Sequence, residues 1–194
     1  GVLRPGDHAI SSVLEHNSIS RPLNRLEREG FIALTRLPAD SQHRIDPEDV
    51  THAITPKTRL VALTQASNVT GTIQPVAEIG KLVRQRDILL LVDASQSAGV
   101  VPIHVEQDAI DLLAFTGHKS LLGPTGTGGL VVGERVEISA WREGGTGGDS
   151  SSPVQPSEFP HRLEGGTPNI FGIAGLREGV KILLEHGVQS ILRR

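Results

Sequence analysis

The chain has 194 residues, of which 37% are hydrophobic and 21% charged, and its formal net charge is −3. These values are typical of one soluble globular domain with a sizeable core, and they give no basic stripe for binding nucleic acid. The longest apolar run, Ile88 to Val92, is too short to span a bilayer. We therefore expect neither a nucleic-acid nor a membrane partner.

The chain contains no cysteine, methionine or tyrosine. Without cysteine it has neither disulfides nor cysteine metal ligands. Its 8 histidines show no paired metal spacing and no HExxH motif, so no metal site is predicted. The opening, Gly1 to Asp7, is typical of a loop entering a strand, and no signal peptide is recognisable. We expect a cytoplasmic protein of which this chain is a fragment.

Short apolar runs alternate with helical patterns along the chain. The first predicted helix runs from Ile19 to Glu29, with Ser18 or Ser20 as its cap and Gly30 as its stop. Further helices are predicted to begin at Asp46-Pro47, at Pro75 and after Asn169. Strands are predicted at His8–Leu14, Phe31–Leu37, Arg59–Thr64, Ile88–Asp93, Asp111–Phe115 and Gly129–Val132.

This alternation predicts the fold class. Strands that are apolar on both faces and separated by helices are typical of a mostly parallel sheet covered on both sides. We therefore predict an α/β protein, a three-layer α/β/α sandwich, formed as one domain by residues 1–194. Ligands in such sheets bind outside the carboxyl ends of the strands.

Chemically distinctive side chains follow three of the predicted strands. Asp93 ends one strand, Lys119 follows the next, and Asn68 comes shortly after Thr64. A lysine amine can form an imine with an aldehyde cofactor, and an aspartate can keep a pyridine nitrogen protonated. This pairing predicts a pyridoxal phosphate site.

Residues beside the lysine and the aspartate fit that prediction. Thr116 and His118 are hydrogen-bond donors of the kind that hold a phosphate, and Gly117 between them permits an unusual backbone angle. Gln96 adds a neutral donor beside Asp93. The glycine-rich stretch 123–129 is not a P-loop, because that pattern requires Lys-Ser or Lys-Thr directly after its second glycine. A nucleotide-hydrolysing enzyme is therefore disfavoured.

Each of these residues also has a structural interpretation. Asp93 alone is about equally well explained as the cap of the turn at Ser95. An isolated lysine such as Lys119 is most often solvated, and an isolated histidine such as His16 is most often structural. Their convergence at strand ends is what favours a shared site.

Six strings of the chain resemble, in the same order, motifs of the class V aminotransferase family, within the fold-type I pyridoxal phosphate enzymes. The likeness is greatest to cysteine desulfurases and selenocysteine lyases, and it covers nearly the whole chain. The strings occupy residues 14–17 (LEHN), 67–72 (SNVTGT), 92–97 (VDASQS), 116–119 (TGHK), 123–126 (GPTG) and 164–169 (EGGTPN).

The resemblance implies a pyridoxal 5'-phosphate site with three catalytic residues. Lys119 would carry the cofactor as an imine and act as the base at the substrate's α carbon. Asp93 would pair with the pyridinium nitrogen. His16 would stack on the ring and relay protons.

The resemblance also implies further cofactor contacts. Asn68 and Gln96 would touch the ring substituents, and Thr116 with His118 would bind the phosphate. In dimers of this family a loop of one subunit reaches the neighbour's cofactor. The glycine-rich loop 144–149, with Thr146 as a phosphate donor, is the candidate for that loop.

The implied activity is removal of sulfur from cysteine, or of selenium from selenocysteine, to give alanine. A homodimer, a small amino-acid substrate and a sulfur-acceptor protein are the implied partners. The family's N-terminal glycine-rich turn, and a small domain with a cysteine nucleophile and an arginine, are expected outside this truncated large domain. A kynureninase-like or epimerase-like enzyme, or a non-catalytic scaffold of the same fold, remain as alternatives.

Overall fold

Six strands form one sheet at the centre of the structure, a computed structural model that describes residues 1–147 and 151–193. They are β1 (Asp7–Ser12), β2 (Ile32–Leu37), β3 (Thr58–Thr64), β4 (Leu89–Asp93), β5 (Leu112–Thr116) and β6 (Gly128–Val132). The spatial order is β2-β1-β3-β4-β5-β6, with β6 antiparallel to β5 and the other pairs parallel. The predicted mostly parallel sheet is confirmed, and each strand begins and ends within two residues of its predicted bounds.

Within the described residues, five α-helices and one short 3₁₀ helix accompany the sheet. Asp46 caps the second helix as predicted, because its carboxylate accepts the Glu48 N–H at 2.8 Å. The predicted cap of the first helix is wrong, since His16 rather than Ser18 or Ser20 occupies that position. No helix among the described residues is long and apolar enough to cross a bilayer. The helices are α1 (Asn17–Arg28), α2 (Pro47–Ala53), α3 (Val76–Arg84), the 3₁₀ helix (His161–Leu163), α4 (Ile170–His186) and α5 (Val188–Leu192).

Alternate residues of each strand pack against opposite helix layers. On one face, Val61 of β3 belongs to a buried cluster with Val50 of α2 and Ile79 of α3. On the other face, the next residue along the strand, Ala62, is buried in a cluster with Leu23 of α1. The sheet therefore lies between α1 on one side and α2 with α3 on the other, which confirms the three predicted layers.

The order of the strands creates a switch point beside β1. From β1 the chain passes to β2 on one side, and β3, β4 and β5 then follow on the other side. At such a point the connections leave in opposite directions and open a crevice outside the carboxyl ends of the strands. The segments that follow β1, β3, β4 and β5 meet at this edge of the sheet.

Candidate cofactor site

A cavity of about 330 Å³ lies at the carboxyl ends of β1, β3, β4 and β5. This volume falls within the usual range for small-molecule sites, roughly 300–1,000 Å³. Seven of the eight site residues predicted from the sequence line it, and Thr146 does not. The lining residues are His16, Ser18, Thr64, Ala66, Asn68, Asp93, Ser95, Gln96, Thr116, His118 and Lys119.

Asp93 presents a buried carboxylate to the cavity. It is the last residue of β4 and is 5% exposed. Its Oδ1 accepts the Ser95 N–H at 2.9 Å, whereas no hydrogen bond to Oδ2 is seen among the described residues. The turn-cap interpretation of Asp93 is therefore confirmed, and because only one oxygen caps the turn, the other is left able to accept from a ligand.

Thr116 provides a hydroxyl without a protein partner. Its Oγ1 is buried and makes no hydrogen bond within the described part of the chain. Buried hydroxyls in proteins almost always have a partner, so an orphaned one that lines a cavity indicates a polar ligand. A phosphate oxygen, which is a strong acceptor, fits this position.

Lys119 lies in a tight turn after β5 and is half-buried. The Gly117 and Gly123 N–H groups donate to Thr127 O and Gly117 O at 2.9 and 2.8 Å, and the Leu122 N–H donates to Lys119 O at 2.9 Å. Gly117 was predicted to permit an unusual backbone angle, and this prediction is wrong because its φ is not positive. A side chain at this position would instead collide with its neighbours, since a Cβ would lie 2.1 Å from Thr127 Oγ1. Leu122 instead takes the left-handed conformation, with φ of 59°. Glycine is needed at 117 for close packing against the strand connection.

His16 is held at the mouth of the cavity as the N-cap of α1. Its Nδ1 accepts the Ser18 N–H at 3.2 Å and lies 2.9 Å from Ser18 Oγ. An imidazole that accepts a backbone N–H at Nδ1 carries its proton at Nε2 when neutral. The ring therefore has a defined tautomer as well as a defined position.

Glu15 was not predicted as a site residue, yet it is the most perturbed acid beside the cavity. Its Oε1 accepts the Ser12 hydroxyl at 2.6 Å, and its Oε2 is buried without a hydrogen-bond partner among the described residues. Burial raises the pKa of Glu15 to about 7, and the negative charge of Asp93 adds to the rise. A charged residue three positions beyond the end of β1, within the LEHN string, was the sequence signal that could have indicated it.

Thr146 lies away from this cavity in its own chain. It lines a separate cavity of about 400 Å³ formed by residues 143–147 and 152–156. Gln155 helps to shape that cavity, because its Oε1 accepts the Gly144 N–H at 3.2 Å. Residues 148 and 149 of the predicted loop lie outside the described residues. A contact between Thr146 and a neighbouring subunit's cofactor therefore stays a prediction.

The sequence of this chain is similar to the sequences of known proteins. The chain matches the family model described as aminotransferase class-V over residues 1–194. It is 31% identical over 179 residues to the cysteine desulfurase IscS of Dictyoglomus turgidum, covering 92% of this chain and 42% of that protein. It is 37% identical over 194 residues to a probable cysteine desulfurase of Methanothermobacter thermautotrophicus, covering 97% and 48%.

Solved structures agree with these relatives. The cysteine desulfurase CsdA of Escherichia coli superposes with a TM-score of 0.82 at 32% identity, over 97% of this chain and 48% of that chain. A cysteine desulfurase from Thermococcus onnurineus superposes with a TM-score of 0.84 at 31% identity, over 99% and 49%. The chain thus spans about half the length of these relatives. Since the family model covers the chain from end to end, the chain belongs to the class V aminotransferase family.

Proposed function

We propose that this chain provides the pyridoxal 5'-phosphate site of a cysteine desulfurase, which removes sulfur or selenium from cysteine or selenocysteine and leaves alanine. The observation that carries the proposal is the shared cavity. An amine at Lys119, an accepting oxygen at Asp93 and an orphaned hydroxyl at Thr116 all line it. The names of the curated relatives favour cysteine over the substrates of other family members.

The donors and acceptors of the cavity fit this cofactor. When bound, pyridoxal phosphate supplies an electron-withdrawing ring that stabilises negative charge at the α carbon of an amino acid. Asp93 Oδ2 would hold the proton on the ring nitrogen, and the carboxylate is kept in place by the Ser95 N–H. Thr116 and His118 would donate to the phosphate, which satisfies the Thr116 hydroxyl.

The remaining chemistry concerns proton movement. Lys119, at the wall of the cavity, would hold the cofactor through its aldehyde carbon, with release of water. Its amine, once replaced there by the substrate's amine, would be free to take the proton from the substrate's α carbon. A well-placed general base contributes roughly 10²–10⁴ in rate. His16 would stack on the ring, with its Nε2–H as the proton it can pass on. Asn68 and Gln96 would contact the ring's substituents.

The proposal includes an assembly. We place Thr146 at the cofactor of a second copy in a homodimer, and we assign the released sulfur to an acceptor protein in the cytoplasm. Exposed apolar side chains on α4 support a protein partner, since Phe171 is 91% and Ile170 66% exposed. Size-exclusion chromatography with light scattering tests the dimer.

Cofactor capture tests the central claim. The purified chain is incubated with pyridoxal phosphate, and absorbance is followed in the violet-blue region. Borohydride reduction and peptide mass spectrometry should then locate the cofactor on Lys119. Lys119→Ala should lose the absorbance, whereas Lys81→Ala, which removes an exposed lysine of α3, should keep it.

Two outcomes would contradict the proposal. Unchanged absorbance in Lys119→Ala would remove Lys119 from the site. Borohydride fixation of the cofactor on a lysine other than Lys119 would also place the site elsewhere.

A further inference from the structure

We propose that Glu15 is a positioning residue that works as a neutral carboxylic acid and fixes His16 over the cofactor cavity. The proposal rests on the function proposed above, because it gives His16 a task at the cofactor. It also assigns a task to a buried acid that the proposed reaction does not otherwise use. Its evidence is the hydrogen bonding of the turn between β1 and α1.

This turn is closed by a short chain of hydrogen bonds. The Leu14 N–H donates to Ser12 Oγ at 3.1 Å, and the Ser12 hydroxyl donates to Glu15 Oε1 at 2.6 Å. The next residue after Glu15 is His16, whose own side chain caps α1. The Ser12–Glu15 bond therefore links the end of β1 to the residue that precedes the histidine, and it sets where the imidazole enters the cavity.

The surroundings of Glu15 favour its neutral form. Its Oε2 is buried without a partner among the described residues, and an ionised carboxylate in that position would keep an unpaired charge away from water. The groups that face the carboxyl are Ser12 from β1, Thr64 from β3 and Asp93 from β4. Asp93 is itself a carboxylate, so a second negative charge nearby is unfavourable.

The pH dependence of folding follows from this arrangement. Burial raises the pKa of Glu15 from 4.5 to about 7; the contacts with Ser12 and Thr64 oppose this rise, and repulsion from Asp93 adds the smallest contribution to it. Below pH 4.5 the group is protonated in both folded and unfolded chains. Between pH 4.5 and 7 the unfolded chain loses this proton while the folded chain keeps it, so stability falls as pH rises. Above pH 7 the loss is complete and constant.

The first experiment needs no cofactor. Urea unfolding is measured from pH 5 to pH 8 for the unmodified chain, for Glu15→Gln, and for Glu137→Gln as a control whose side chain is 94% exposed. We expect Glu15→Gln to become progressively more stable than the unmodified chain as pH rises, because the amide cannot ionise. The control should follow the unmodified chain. Parallel profiles for Glu15→Gln and the unmodified chain would overturn the inference.

The second experiment measures pyridoxal phosphate affinity. Glu15→Gln keeps an acceptor for Ser12 and should bind within about threefold of the unmodified chain at pH 6.5, whereas Glu15→Ala should bind about tenfold more weakly. Ser12→Ala should weaken binding similarly, and the double variant no further, since both break one chain of bonds. Above pH 7 the unmodified chain should lose affinity relative to Glu15→Gln. Full affinity in Glu15→Ala, or identical pH profiles, would overturn the inference.

Failure of the proposed function is distinguishable from failure of this inference. A chain that does not bind pyridoxal phosphate at all contradicts the proposed function. Amide hydrogen exchange then decides the role of Glu15, because Leu14 and Ser18 donate the two N–H groups that hold the turn and the histidine. Loss of their protection in Glu15→Ala, with retention in Glu15→Gln, supports the inference. Unchanged protection in Glu15→Ala contradicts it.

Discussion

The two edges of the sheet differ in how completely their buried polar groups are paired by the protein. At the amino-terminal edge, Asp111 is 1% exposed and both of its oxygens are paired. Its Oδ1 accepts from Arg84 at 2.8 Å and from Arg135 at 2.7 Å, and its Oδ2 accepts the Leu90 N–H at 2.8 Å. At the carboxyl-terminal edge, a Glu15 oxygen and the Thr116 hydroxyl are buried without partners among the described residues.

This difference distinguishes buried polar groups that stabilise the fold from buried polar groups that are available to a ligand. A buried polar group with every partner supplied by the protein stabilises the fold and has nothing left for a ligand. A buried polar group that lacks a partner destabilises the free protein, and such groups are retained where a ligand or a catalytic need compensates for the loss. Substitutions that give opposite results at the two edges test this interpretation.

The largest change in stability is expected at the amino-terminal edge, where the oxygens of Asp111 are paired. Asp111→Asn should lower the free energy of unfolding by about 3 kcal/mol, because two guanidinium groups then face a neutral amide. Both arginines are partly exposed, at 41% and 27%, which keeps the effect below that of a fully buried pair. Urea unfolding of the purified chain measures the change.

Two matched variants make this result specific. Asp93→Asn, at the carboxyl-terminal edge, should change stability by less than about 1 kcal/mol while it abolishes cofactor binding, since the role proposed for Asp93 is to bind the cofactor. Asp87→Ala removes the 96% exposed partner of Arg135 and should cost less than about 1 kcal/mol. A loss in Asp93→Asn as large as in Asp111→Asn would contradict the comparison.

Substitutions at two threonines provide the next test, because they are expected to change the free energy of unfolding in opposite directions. Thr116→Val removes an unpartnered buried hydroxyl and should raise the free energy of unfolding by about 1 kcal/mol. Thr58→Val removes a hydroxyl that accepts the Thr55 N–H and contacts His8 Nδ1, both at 2.8 Å, and should lower it by about 1 kcal/mol. Thermal or urea unfolding without cofactor measures both. A loss of stability in Thr116→Val would show that its hydroxyl serves the fold.

Much of this organisation was predictable from local sequence. Parallel strands bring their carboxyl ends to one edge, so residues such as Asp93 and Lys119 could be placed in one site from the positions of their strands alone. The alternation of strands and helices likewise predicted the layers correctly. In both cases the information is local, because it depends on periodicity and on where each apolar run ends.

The features that were missed depend on tertiary neighbours. Gly117 is required by the approach of Thr127, which no local pattern shows. The protonation of Glu15 depends chiefly on its burial by neighbouring elements, and the pairing of Asp111 with Arg135 depends on strand register. Sequence therefore indicated which residues meet at the cavity, but not which polar groups would be left without partners there.

The smallest expected effect comes from His8, a buried histidine at the paired edge. Its Nδ1 lies 2.8 Å from Thr58 Oγ1 and its Nε2 lies 2.9 Å from Thr35 Oγ1. Burial lowers the pKa of His8, so as pH falls below 6.5 the unfolded chain binds a proton that the folded chain resists. Stability is then lost toward acid, the opposite of the direction expected for Glu15.

Glu15 and His8 change protonation over overlapping pH ranges, so the effect of His8 on stability is best measured in a variant in which residue 15 cannot ionise. In a Glu15→Gln background, the free energy of unfolding should fall by no more than about 1 kcal/mol as pH is lowered from 7.5 to 5, which is the scale of one perturbed group. Adding His8→Gln should remove that fall, whereas adding His52→Gln on α2 should leave it unchanged. If stability still falls toward acid in the variant with His8→Gln, then Thr58 and Thr35 do not hold a neutral His8 imidazole. In that case the full pairing of buried polar groups at the amino-terminal edge does not extend to β1.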